Sequence, residues 1–82
     1  ININKNLTLN GTTGTTVSGG GNKRVFDISG GTVNLNSLTI TGGSTSGNGG
    51  GVNIGSGATV TISNSTISGN SATVNGGGID TT

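Results

Sequence analysis

Cysteine, proline, histidine, glutamate, methionine, tryptophan and tyrosine are all missing from this 82-residue chain, and charge is scarce: three Lys or Arg against two Asp, a net charge of +1. Without cysteine there is neither a disulfide nor a thiolate metal site, and the redox compartment stays open. Without a run of about 18 apolar residues nothing spans a membrane. Aromatic content is a single residue, Phe26, so a chain already too short for more than one domain has only a thin core to bury. Stability must then come from stacked backbone hydrogen bonds, ladders of like side chains and neighbours at each end. No secretory leader precedes Ile1 and no initiator Met opens the chain, which reads as a mature or excised segment.

Gly, Thr, Asn and Ser supply 56 of the 82 residues, while Ile, Leu, Val and Phe supply 19. Composition alone would allow a disordered tract, because so few apolar groups hardly offset the entropy of ordering the chain. Two features oppose that reading. Disorder usually comes with high net charge or proline, and neither is present. The apolar residues also alternate strictly, in Ile1-x-Ile3, Leu7-x-Leu9, Val33-x-Leu35, Leu38-x-Ile40 and Val60-x-Ile62, the pattern of half-buried strands.

The alternation is itself repeated. Val33-Asn34-Leu35 returns as Val60-Thr61-Ile62, Ile40 as Ile67, Asn48 as Asn75, and Gly49-Gly50-Gly51-Val52-Asn53 as Gly76-Gly77-Gly78-Ile79-Asp80. A period of about 27 residues, built of short strands and Gly/Asn/Ser turns with no helical segment, predicts an all-β fold of the parallel β-helix (β-solenoid) type. Residues 25–48 and 49–75 read as two matched coils and 76–82 as the truncated start of another. Residues 1–24 read as a longer, irregular first coil, with Ile1-Asn2-Ile3 aligned on Val33-Asn34-Leu35 and Gly11–Lys23 as an insertion.

Three strands per coil are predicted: Val25–Ile28, Thr32–Leu35 and Leu38–Thr41, then Val52–Ile54, Thr59–Ile62 and Thr66–Ser68. The predicted stacking core places Phe26 with Val52 and Ile79, Ile28 opposite Ile54, Val33 with Ile1 and Val60, Leu35 with Ile3 and Ile62, and Ile40 with Leu9 and Ile67. Strands one coil apart would pair in parallel at about 4.8 Å. Asn48-Gly49-Gly50-Gly51 and Asn75-Gly76-Gly77-Gly78 supply corners that tolerate positive φ, and Ser29-Gly30-Gly31 and Gly55-Ser56-Gly57 supply another pair.

The segments Arg24-Val25-Phe26-Asp27-Ile28, Leu38-Thr39-Ile40-Thr41-Gly42-Gly43 and Ile62-Ser63-Asn64-Ser65-Thr66-Ile67-Ser68-Gly69-Asn70-Ser71-Ala72, followed by Asn75-Gly76-Gly77-Gly78-Ile79, carry a likeness to a known family. They resemble the right-handed parallel β-helix repeats of bacterial surface and secreted proteins, including polymorphic outer-membrane-protein-like and adhesin-like passengers of pectin-lyase-like fold. The resemblance, clearest over residues 24–80, implies the handedness of the coils, which periodicity does not fix. It does not select an activity, because one such fold hosts adhesins, lyases and structural stalks.

Glycan-cleaving chemistry needs paired carboxylates, or a metal cluster with a poised base. Asp27, Asp80, Lys5, Lys23 and Arg24 are the whole charged inventory. The repeat puts Asp27 and Asp80 on one outward column about 10 Å apart with Asn53 between them, which reads as a polar ladder, so no catalytic residue is expected. Calcium-binding nonapeptide repeats require a nine-residue period that is missing, and no metal or cofactor is expected. Lys23-Arg24 is a lone basic pair without an aromatic platform, which argues against nucleic acid. The Asn-x-Thr triplets at Asn6, Asn10 and Asn64 are no more than this composition yields by chance.

Thr39-Ile40-Thr41 and Thr59-Val60-Thr61 suggest an ice-binding solenoid with Thr ladders. In register, though, Thr32 meets Thr59 and Thr39 meets Thr66, and neither ladder is expected to cross every coil. Neither end carries a cap, and the aligned register leaves a gap of about four residues between Thr82 and a second copy's Ile1. The expectation is a structural module at an extracellular or cell-surface site, a fibre subunit, stalk or adhesin passenger. It would stack head to tail as a homo-oligomer or filament, or between flanking coils of a longer chain. A glycan or host surface is the expected ligand class, with part of a glycan-binding or glycan-cleaving β-helix and an ice-binding solenoid as alternatives.

Overall fold

Alternating Ile, Val, Leu and Thr favour extended backbone because β-branched side chains pack well on a pleated surface. The computed structural model describes residues 1–12 and 14–81, and these contain strands and no helix. The strands are β1 (Asn2–Ile3), β2 (Leu7–Asn10), β3 (Thr16–Lys23), β4 (Phe26–Asn36), β5 (Thr39–Thr45), β6 (Val52–Ser63), β7 (Thr66–Ile67), β8 (Ser71–Ala72) and β9 (Ile79–Thr81). Their pairings are parallel. One sheet runs β1-β4-β6-β9 with β2 also on β4, and a second runs β3-β5-β7 with β8 also on β5.

Register follows the repeat over most of the chain. Phe26 faces Val52 and Val52 faces Ile79; Val33 faces Val60, Leu35 faces Ile62, and Ile40 faces Ile67. The corners expected at Ser29–Gly31 and Gly55–Gly57 do not end their strands. β4 and β6 run through them with a shift of register between Ile28 and Gly30, and Gly31 takes a φ of 86°. At the other corner Gly49 and Gly76 have φ of 68° and 64°, the left-handed conformation that a residue without Cβ adopts freely.

The N-terminal register departs from the sequence alignment. Asn2 pairs with Asp27 and Ile3 with Ile28, so Ile1–Ile3 lies beside Phe26–Ile28 and not beside Val33–Leu35. Leu7 and Leu9 take the places beside Val33 and Leu35, and Val17, not Leu9, stands beside Ile40. The physical reason is that a period-2 pattern is the same after any even slip. The observed register gives Ile3, Leu9 and Val17 each an apolar partner, where the aligned one left Val17 in an insertion.

Gly11–Lys23 does carry extra length, but part of it is paired. Gly11 donates its N–H to the Asn36 carbonyl at 2.8 Å, and Thr16–Ser18 pairs with Thr39–Thr41. The excess length falls in two places, the connection between Leu9 and Val17 and the irregularity between the pairs Ser18/Thr41 and Lys23/Gly43. The alignment from which the four-residue gap to a second copy was counted does not hold, because Ile1–Ile3 and Ile79–Thr81 both stand at the position of Phe26–Ile28.

The core is Ile3, Val25, Phe26, Ile28, Val33, Leu35, Leu38, Ile40 and Val52, with Leu9, Val17, Ile54, Ala58, Val60, Ile62 and Ile67 packed half-buried against it. Two expected core residues are exposed, Ile1 at 63% and Ile79 at 41%. Ile1 precedes β1 and is held by its α-amino group, which donates to the Val25 carbonyl at 2.9 Å. Ile79 has a paired strand on one side only, β6. Val25 and Leu38 were not expected in the core. Val25 stands next to a corner, where the chain brings it and Phe26 inward together, while Leu38 extends the alternation of Ile40 by one step.

Candidate functional site

Asn2, Asp27, Asn53 and Asp80 share one row position and form an outward column in which amide and carboxylate alternate. Carboxylates on adjacent rungs would repel, and the intervening amide removes that repulsion. Asn53 Nδ2 donates to Asp27 Oδ1 at 3.2 Å. Arg24 reaches Asp27 Oδ2 through Nη1 at 3.4 Å. Its stronger contacts are with the Asn48–Gly49 corner: Nη2 to the Asn48 carbonyl at 2.7 Å, and Nε to the Asn48 and Gly49 carbonyls at 3.0 and 3.1 Å. The guanidinium thus ties one repeat's first strand to the next repeat's corner. Asp27 and Asp80 are two rungs apart with Asn53 between them. Among the described residues no three His, Cys, Asp or Glu cluster as metal ligands, no cavity is enclosed, and no helix is long and apolar enough to cross a membrane.

On the outer face of β2-β4-β6 one column of polar side chains bonds within itself. Asn36 Nδ2 donates to Asn10 Oδ1 at 3.4 Å, and Ser63 Oγ donates to Asn36 Oδ1 at 3.1 Å. Asn6 Oδ1 accepts the Thr32 N–H at 2.8 Å. The Thr8 and Thr61 rungs are separated by Asn34.

The face of β3-β5-β7 is different. Thr16 pairs with Thr39, and Thr39 with Thr66, so one threonine column crosses all three strands. This corrects the expectation that no Thr ladder is continuous. A second column, two residues along, begins with Ser18 beside Thr41 and continues at Ser68, whose N–H donates to the Ile40 carbonyl at 3.1 Å. Between the columns Val17, Ile40 and Ile67 point inward. The signal was present in the sequence, since Thr16-Val17-Ser18 and Thr66-Ile67-Ser68 have the same form. The misplaced N-terminal register hid it.

No family model matches the chain, and it has no match among the curated proteins or the solved structures.

Proposed function

We propose that the chain is a structural module of an extracellular or cell-surface protein, a parallel β-helix whose work is to extend and stiffen a stalk, fibre or adhesin passenger. One observation carries the reading: the described strands pair in parallel with their own equivalents one repeat away, as Leu7 with Val33, Val33 with Val60 and Thr39 with Thr66. Repeated use of one pairing is how a solenoid grows, each repeat contacting only its neighbours. The molecule measures 29 × 29 × 16 Å. Its short dimension suits four rows stacked at about 4.8 Å.

The outer surface fits an extracellular scaffold in being hydroxyl- and amide-rich with five charged residues in all. Half-buried Ile54, Val60, Ile62 and Ile67 offer apolar surface to a further row, supplied by a second copy or by adjoining coils. Electron microscopy of concentrated protein tests the stacking part. Fibres with a repeat near 4.8 Å are expected, and particles of single-chain mass at every concentration would overturn self-stacking.

A further inference from the structure

The side-chain hydroxyls of the threonine and serine columns on β3-β5-β7 make a single bond within the fold, and they form a two-dimensional grid. Rungs repeat at about 4.8 Å across the strands and columns at about 6.7 Å along them, twice the rise per residue. Among the described residues, the hydroxyls of Thr16, Thr39, Thr41, Thr66 and Ser68 have no protein partner, and Ser18 Oγ accepts the Gly20 N–H at 3.1 Å. Among the described residues no buried side-chain oxygen or nitrogen is left unsatisfied, and Thr16, Thr66 and Ser68 are exposed, so these unpaired hydroxyls face water. Each threonine adds a methyl beside its hydroxyl, and the buried Ile40 with half-buried Val17 and Ile67 fixes the strands from behind.

We propose that this face binds ice. The inference does not depend on whether the chain stacks, since it uses only the registers Thr16/Thr39/Thr66 and Ser18/Thr41. A rigid grid of uncharged hydroxyls and methyls holds its hydration water in a matching grid, with spacings of the order of those between oxygens on ice faces. Water already held in place loses little further freedom on joining the crystal, the same gain that preorganisation gives any binding surface. The opposite face has no threonine column across three strands, because Asn34 stands between Thr8 and Thr61 and the next column is Asn10, Asn36 and Ser63, which bond to one another. Other partners fit less well. A polysaccharide would find no exposed aromatic ring to stack on, as Phe26 is fully buried, and neither a membrane nor a nucleic acid would find a charged or apolar surface there.

The test uses the full chain and ice as the probe. Ice crystals grown slowly in its presence should become faceted, and the protein should partition into a growing ice hemisphere. Thr16→Lys and Thr66→Lys, both at exposed positions, should each lower that partition by about tenfold with the circular dichroism and thermal midpoint unchanged. Asn34→Lys, exposed on the other face, should keep it. Exclusion of the wild-type chain from ice, to the extent of an inert protein of its size, would overturn the proposal. Equal partition of Thr16→Lys, Thr66→Lys and Asn34→Lys would also overturn it.

Discussion

The repeat built on β4 and β5 and the repeat built on β6 and β7 hold nearly the same side chains at the same register, yet they are buried to different degrees. Val33, Leu35 and Ile40 are fully buried, while their partners Val60, Ile62 and Ile67 are only half so. Ile28 and Ile54 differ too, though both are flanked on two sides: beside Ile28 stands the apolar Ile3, and beside Ile54 the polar Thr81. Residue type cannot explain this, but neighbours can. β4 is flanked by β1 and β2 on one side and β6 on the other, whereas beyond β4 the second flank of β6 is covered only at Val52–Ile54 by β9. Each row therefore takes its stability from the rows beside it, as nearest-neighbour accounts of repeat proteins describe.

Truncating equivalent residues in the two repeats should separate them most widely. Leu35→Ala removes a fully buried side chain between two rows and should cost about 2–5 kcal/mol, including the cavity it leaves. Ile62→Ala removes one already half in water and should cost about 1–2 kcal/mol. Urea midpoints at constant slope would report both values, and equal losses would show that flanking rows do not set the energetics.

A sharper contrast lies at the glycine corners. Gly50 is buried, and a Cβ there would fall on the Ser71 carbonyl oxygen, whereas the nearest atom to a Cβ on its counterpart Gly77 is the Asn70 carbonyl oxygen at 3.2 Å. Gly50→Ala should cost about 1–3 kcal/mol through overpacking. Gly77→Ala should cost less, about 1 kcal/mol at most, because Gly77 is half-buried and the Asn70 carbonyl need give only a few tenths of an ångström. The same urea melts would decide between them, and a costly Gly77→Ala would mean that its corner is as tightly packed as the inner one.

This difference between repeats also explains how much was legible beforehand. Parallel pairing at the 27-residue offset was readable because Val33-Asn34-Leu35 and Val60-Thr61-Ile62, or Gly49–Val52 and Gly76–Ile79, match residue for residue. The N-terminal register was not. Ile1-x-Ile3 and Leu7-x-Leu9 carry the same alternation, and only the packing of Val17 against Ile40 chooses between slips. The third threonine rung was lost with it. Burial of Val25 escaped because alternation holds along a strand and fails where the chain rounds a corner, whereas Leu38 follows the alternation that Ile40 sets. The exposure of Ile1 and Ile79 escaped because a stacked column says which residues meet, and not how many rows lie beyond.

Arg24 marks another asymmetry. Its equivalent one repeat later is Gly50, so the Asn48–Gly49 corner is clamped by a guanidinium and the Asn75–Gly76 corner is held by backbone bonds and an Asn48 Oδ1 to Asn75 N–H contact at 3.1 Å. Arg24→Gln should cost about 1–2 kcal/mol, the scale of hydrogen bonds from a charged donor in a half-exposed setting. It should also speed amide exchange at Gly49, Gly50 and Gly51 while leaving Gly76 unchanged. Asp27→Asn should cost less than about 1 kcal/mol, as exposed ion pairs do. If Asp27→Asn matched Arg24→Gln, the ion pair and not the carbonyl clamp would be the stronger tie.

The smallest expected effect comes from a corner where the two repeats share a backbone and differ in residue. Ser37 and Asn64 follow the paired residues Asn36 and Ser63, and both take left-handed conformations, with φ of 59° and 50°. Asparagine enters that region more readily than serine, because its side chain bonds to the local backbone. Ser37→Asn should therefore stabilise the chain by a few tenths of a kcal/mol, roughly the lower end of substitutions that suit an existing backbone conformation. Asn64→Ser should lose a similar amount, and a double swap should come close to cancelling in thermal midpoint. Should Ser37→Asn destabilise instead, the half-buried setting of Ser37 beside the Gly11 backbone would outweigh the preference of its dihedral angle, and the inner repeat would again be the one in which packing decides.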